Sequence, residues 1–178
     1  MINSYRMERR QHTFIVDRML GRLIAWLRIF GYDTKSALEM QATPNEDTIL
    51  IEIAREEKRI LVSRDRVLID RAGNAGVDAV LMTSDDIRDQ IGSLSEKYGL
   101  DIDPEMTRCT VCNSTLREAT PEDIERFKST GEVPEHLIND RTAFWVCKSC
   151  GKVYWQGSHW RNILKTAEDV KNSKNNQK

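Results

Sequence analysis

"TPNEDTILIEIAREEKRILVSRD", residues 43–65, reads as a helix that feeds directly into a strand. Ile49, Leu50, Ile53 and Ala54 recur at helical spacing, and "RILVS" (59–63) is a short apolar run suited to a buried strand. Thr43 suits the N-cap, Pro44 the first helical position, and Glu46 the third-position partner of a capping box. That leaves two acids to explain. Asp47 stands in the helix's first turn and Asp65 just past the strand. Each is either a helix-capping group or part of a site.

The same alternation extends in both directions. "TFIVD" (13–17) reads as a strand, and "MLGRLIAWLRIFG" (19–31) puts Leu20, Leu23, Ile24, Leu27 and Phe30 on one helical face, with Gly31 as the stop. A short extended piece at "YDTK" (32–35) follows. Downstream come a helix over 64–76, a strand at "VDAVLM" (77–82) and a helix over 84–99. Strands alternating with helices imply an α/β layer built on a mainly parallel sheet. In that layer Asp17 ends the first strand, and Asp65 follows a later one. Asp47 starts a crossover helix that runs antiparallel to the strands, so all three acids converge on the carboxyl edge, where open α/β sheets place ligands. Clustered carboxylates suit Mg²⁺ or Mn²⁺, hard cations that prefer oxygen.

Residues 101–106, "DIDPEM", break the pattern and read as a linker. Beyond them the texture changes: "TPEDIE" (120–125) opens a helix with a capping-box pattern, and a last helix is expected from about Ser158 to Val170. All four cysteines fall in two pairs, Cys109-x-x-Cys112 and Cys147-x-x-Cys150. That is the spacing of two zinc knuckles sharing one tetrahedral ion, with thiol redox chemistry as the competing reading. Four protein ligands leave Zn²⁺ no open position, so its role is structural. The residues after each pair, Asn113 and Gly151, suit the tight turns that knuckles need.

The net charge of −1 excludes a general pull toward polyanions, so any nucleic-acid surface is a local patch. Residues 141–167 supply one: Arg141, Lys148, Lys152, Arg161 and Lys165 without a single acid, and with Trp145, Trp155 and Trp160 among them. Such a mixture either grips single-stranded RNA or packs the small module in place. No apolar run is long enough to span a bilayer, and "MINSYRMERRQH" lacks a signal peptide's apolar core; both make a cytoplasmic protein the expectation.

"FIVDRMLGRLIAWLRIFGYDT", "EDTILIEIAREEKRILVSRD" and "RCTVCN…FWVCKSCGKVYWQGSHW" together resemble the Mut-seven C-terminal ribonuclease domain family, in which a PIN-like nuclease domain is joined to a zinc ribbon. The resemblance implies a PIN-like three-layer domain at 13–102 and a zinc ribbon at 103–170; outside it, with a polar, lysine-rich end "KNSKNNQK", residues 1–12 and 171–178 are expected to be flexible termini. It matches Asp17, Asp47 and Asp65 to the catalytic metal-binding acids. Ser63 and Arg64 match polar positions before the last acid, where the family commonly has threonine and arginine. The implied activity is Mg²⁺- or Mn²⁺-dependent hydrolysis of RNA. Charge, rings and the matched polar positions together make Arg18, Arg22, Ser63, Arg64, Lys152, Trp155, His159 and Trp160 the candidate substrate contacts. Arg28, on the same basic helix as Arg18 and Arg22, is a further candidate for guiding the phosphate backbone. PIN nucleases usually carry a fourth acid, for which Glu46, Asp70, Asp85 and Asp86 are the candidates, and they often dimerise. The alternatives are a non-catalytic RNA- or ribosome-associated adaptor and a nuclease acting on DNA.

Overall fold

Strands β1 (Thr13–Val16), β2 (Asp33–Ser36), β3 (Ile60–Ser63) and β4 (Ala79–Leu81) lie in the order β2-β1-β3-β4, with every neighbouring pair parallel. The computed structural model describes residues 12–139 and 141–175. The helices α1 (Gly21–Ile29), α2 (Glu46–Glu56), α3 (Arg66–Asn74) and α4 (Ile87–Tyr98) cover both faces of the sheet. Side-chain alternation along the strands decides which face each residue feeds. Phe14, Val16, Ile60 and Val62 turn toward Leu23 and Leu27 of α1 and Ile91 and Leu94 of α4. Ile15 and Leu61 turn the other way, against Leu50 and Ala54 of α2 and Leu68 and Ala72 of α3. The result is the expected three-layer α/β architecture, and burial on both faces explains why β1 and β3 read as continuous apolar runs.

A second, antiparallel sheet is formed by β5 (Leu116–Glu118), β6 (Phe144–Cys147) and β7 (Val153–Trp155). Between β5 and β6 lies α5 (Pro121–Thr130), which starts on the expected capping box: Thr120 Oγ1 accepts from Asp123 N–H, and the Asp123 carboxylate accepts from Thr120 N–H. Phe127 of α5 packs with Val133, Phe144 and Val146 in a small core. The last helix, α6 (Ser158–Asn175), returns to the parallel sheet, where Ala167 and Val170 join the core beside α4. The expectation of flexible termini falls on 1–11 and 176–178, outside the described residues, while 171–175 continue α6.

Two local expectations are corrected. Helix α2 starts at Glu46 with Asn45 in the cap position and no side-chain cap, so Thr43 and Glu46 form no capping box. The Glu46 carboxylate instead pairs with Arg18 at 2.5 Å, where both partners carry charge, whereas a reach-back to the backbone N–H would have charge on one side only. The "DIDPEM" segment is irregular but not a free linker. Ile102 is buried, Tyr32 Oη donates to the Asp101 carbonyl at 3.0 Å, and Glu105 N–H donates to the Ile29 carbonyl at 2.8 Å.

The cysteine-bearing unit docks on β2, the edge of the parallel sheet. Thr34 N–H donates to Asn113 Oδ1 at 3.1 Å, Asn113 Nδ2 donates to Asp33 Oδ1 at 2.9 Å, and Arg108 donates to the Gly31 carbonyl at 3.3 Å. Backbone donors that an edge strand would otherwise expose are thereby occupied.

Candidate functional site

The carboxyl edge of the parallel sheet gathers Asp17 and Asp65 around one serine. Asp17 N–H donates to the Val62 carbonyl at 2.9 Å, tying the end of β1 to β3. Ser63, fully buried at the end of β3, donates its hydroxyl to Asp17 Oδ2 at 2.7 Å. The same Oγ accepts Asp65 N–H at 2.9 Å. Asp65 caps α3, its Oδ1 accepting from Val67 N–H at 2.7 Å and Leu68 N–H at 3.3 Å. Asp17 Oδ1 and Asp65 Oδ2 are left without a hydrogen bond from the described residues. Two free carboxylate oxygens on adjacent strand ends form an all-oxygen donor set, which fits Mg²⁺ or Mn²⁺.

Asp47 is arranged differently. It is half-exposed in the first turn of α2 and pairs with Arg71 of α3 at 3.0 Å, while Arg71 also donates to Thr48 Oγ1 at 3.0 Å. Among the described residues the three aspartates do not close into one ligand-spaced group. Of the fourth-acid candidates, Glu46 is held by Arg18, Asp86 caps α4 through Arg88 N–H, and Asp70 lies within α3. Asp85 follows β4 at the same edge, is exposed, and pairs with Arg64. Arg22, Arg64 and Asp85 line a cleft of about 340 Å³ beside the rim.

The four cysteines converge. Their sulfurs all lie within 4.8 Å of one another, with Cys109–Cys150 at 3.6 Å and Cys112–Cys147 at 3.4 Å. Tetrahedral zinc with bonds of about 2.3 Å needs sulfurs roughly 3.8 Å apart, so the group fits Zn²⁺. The two turns are alike. Asn113 and Gly151, each just after a knuckle's second cysteine, adopt positive φ of 64° and 73°, and their N–H groups reach back to the Cys109 and Cys147 carbonyls. Sulfurs also accept backbone N–H groups: Cys109 from Cys112, and Cys147 from Ser149 and Cys150. Crowding splits the thiols electrostatically. Burial alone would raise Cys112, but donors from Ser114 and the neighbouring sulfurs bring it down to about 6. Burial, reinforced by the Cys147, Cys109 and Cys112 sulfurs, pushes Cys150 up to about 12. Four thiolates cannot sit this close without a cation, which is the chemistry zinc supplies.

The remaining candidate contacts form a second cluster, remote from the acids. Lys152, Trp155, His159 and Trp160 line a groove of about 540 Å³ between β7, the start of α6, and Ala25 and Ile29 of α1. Trp155 is also partly built into the small core, its ring 6.4 Å from Phe144. The packing reading of the aromatic stretch therefore holds for Trp155. Arg18, Arg22, Ser63 and Arg64 stay with the acidic rim, although Arg18 is engaged by Glu46 and Ser63 is wholly buried behind Asp17.

Arg28 does not face solvent. It is 1% exposed and donates to the carbonyls of Thr34, Thr110 and Val111, with Glu39 as its ion-pair partner at 2.6 Å. It is a bracket between the sheet edge and the first knuckle, and it cannot meet a phosphate. Its position four residues after buried Ile24 was the available signal. Tyr154, in the same aromatic stretch, does more than pack. Its hydroxyl lies 3.1 Å from Cys109 Sγ and accepts Thr110 N–H at 3.1 Å. Nothing in the cysteine spacing marks that tyrosine.

The family model described as Mut7-C RNAse domain matches residues 12–167, most of the chain, and the chain belongs to that family. No match was found among curated proteins or among solved structures. The family supports a nuclease-like function with RNA as the substrate. No helix among the described residues is long and apolar enough to cross a membrane.

Proposed function

We propose that this Mut7-C RNAse domain chain is a metal-dependent ribonuclease that cuts single-stranded RNA at the carboxyl edge of its parallel sheet, with Asp17, Asp47 and Asp65 as the acids. The observation that carries the reading is Ser63, which orients Asp17 with its hydroxyl while accepting the Asp65 N–H. A bound Mg²⁺ or Mn²⁺ would supply an activated water and offset charge on the leaving oxygen.

The chain's own part is positioning. Ser63 fixes the Asp17 carboxylate, and the α3 cap fixes that of Asp65, so each presents its second oxygen toward the edge. Asp47 joins by releasing Arg71, and an exposed ion pair of this kind costs only about 0–1 kcal/mol to break. Asp85 is the fourth acid, freed when Arg64 turns to a phosphate. Arg22 stands across the same cleft and draws the backbone inward. The four-cysteine ribbon is structural and aids RNA binding through Lys152 and its aromatic neighbours.

Labelled single-stranded RNA and DNA incubated with Mg²⁺ or Mn²⁺ test the reading. Asp17→Asn and Asp65→Asn should each lower RNA cleavage by at least about 100-fold, the scale of losing one preorganised electrostatic group. Wild-type cleavage by both variants would sink the site. RNA binding without any cleavage would identify the chain as an adaptor, and a preference for DNA would correct the substrate.

A further inference from the structure

One face of α1 connects the rim to the distant groove. Arg22 lines the 340 Å³ cleft beside the acids, whereas Ala25 and Ile29 line the 540 Å³ groove under β7. These residues stand at i, i+3 and i+7, a single helical face. At 1.5 Å per residue the seven-residue step from Arg22 to Ile29 covers about 10 Å. A stacked strand rises about 3.4 Å per nucleotide, so about three nucleotides span that distance.

Charge and shape of the surface point to its occupant. Residues 18–32, which contain α1, include no acid, and neither do residues 141–167, in a chain whose net charge is only −1. In the groove Tyr154, Trp155 and Trp160 offer rings, and Arg108 and Lys152 offer cations. The one acid of its lining, Glu105, is already engaged within the fold. Rings flanked by cations hold single-stranded nucleic acid, because every base has a face to stack and every linkage a charge. The volume falls within the roughly 300–1,000 Å³ range of small-molecule sites, enough for one nucleotide.

We propose that this groove holds a base and its phosphate at least about three nucleotides from the bond cut at the rim, with the part-exposed face of α1 that carries Arg22, Ala25 and Ile29 as the track between them. The proposal rests on the rim being the nuclease site and adds a minimum substrate length. The groove acts through substrate affinity and touches no reacting atom.

Binding is tested with a fluorescein-labelled oligouridylate of about ten nucleotides, without added Mg²⁺ or Mn²⁺ and with zinc retained. Ala25→Glu puts a negative charge on the track, and Lys152→Glu reverses one at the groove; two independent positions guard against a folding defect in either. Retained zinc content checks that each is folded. Both should weaken anisotropy-measured binding by at least about 10-fold, as expected for losing phosphate contacts. With metal added, the wild type should favour the long oligonucleotide over a dinucleotide in kcat/KM, and both variants should lose that preference through KM. Wild-type affinity in both folded variants would overturn the proposal and assign the groove to a protein partner. So would equal wild-type use of the dinucleotide. If the wild type binds through the groove but cleaves neither RNA, the nuclease reading fails while the groove's RNA-binding role stands.

Discussion

Replacing Arg28 by methionine keeps the length of the side chain and removes its charge and donors. Arg28 Nε and Nη2 reach the Thr34 carbonyl at 3.0 and 2.7 Å, and Nη1 reaches the Thr110 and Val111 carbonyls at 3.1 and 2.9 Å. Hydrogen bonds from a charged donor contribute about 1.5–3 kcal/mol each, so four represent roughly 6–12 kcal/mol. Burying the guanidinium offsets several kcal/mol of that, and leaving the Thr34, Thr110 and Val111 carbonyls without their donor costs about 1–3 kcal/mol each. We therefore expect Arg28→Met to lower unfolding free energy by about 3–5 kcal/mol in denaturant titrations at fixed zinc. Because Thr110 and Val111 lie between Cys109 and Cys112, zinc should also transfer faster to a competing chelator. Arg28→Lys should recover only part of the loss, since an ammonium cannot fork between two strands of the structure. A loss below about 1 kcal/mol, within the range of an ordinary surface change, together with unchanged zinc transfer would refute the bracket role.

Two further outcomes follow from other hydrogen bonds of the parallel sheet. Ser63→Ala should reduce cleavage and raise the Mg²⁺ concentration needed for half-maximal rate by about 10–100-fold, the usual effect of losing a group that orients a ligand, and Ser63→Thr should restore both. Burial alone would raise the Asp33 carboxyl, but Arg59, Asn113 and Arg108 together hold it below its ordinary value. A depressed carboxylate stabilises the fold above its unfolded pKa of about 3.9 and loses that contribution as pH falls through the lower folded value. Asp33→Asn should thus be less stable than wild type at neutral pH, with the gap closing in melts taken progressively below about pH 4.

The architecture was legible because both faces of the parallel sheet are buried. That burial makes β1 and β3 unbroken apolar runs and gives α1 to α4 clear stripes. The zinc group was legible because a knuckle is local: cysteine spacing and the residue after each pair specify the turn. What stayed hidden depends on contacts far apart in sequence. Arg28 meets Thr110 and Val111 more than eighty residues away, and Glu46 meets Arg18 across twenty-eight. A capping-box pattern cannot reveal that its glutamate has a stronger partner elsewhere. Likewise, the basic run from Arg18 to Arg28 does not tell which arginine faces inward, though helical spacing hints at it.

The two acids of "TPNEDTILIEIAREEKRILVSRD" raise a choice between capping and chemistry that the structure makes unnecessary for one of them. Asp65 does cap α3, but it spends only Oδ1 on Val67 and Leu68. The cap fixes the carboxylate through Oδ1 and leaves Oδ2 without a hydrogen bond from the described residues. In the proposed site, a capping acid at a strand's carboxyl end is thus a ligand oriented in advance. Asp17 reaches the same condition by another route, burial against Ser63. Asp47 has neither device: its helix is uncapped by any side chain, and its carboxylate lies in an exposed pair with Arg71. Preorganisation in the proposed site is thus unequal, with two acids set by the sheet edge and the third brought in from α2. In that proposal any energy needed to complete the cluster falls on Asp47, and the Asp47–Arg71 pair is the place where metal or substrate would do work on the protein.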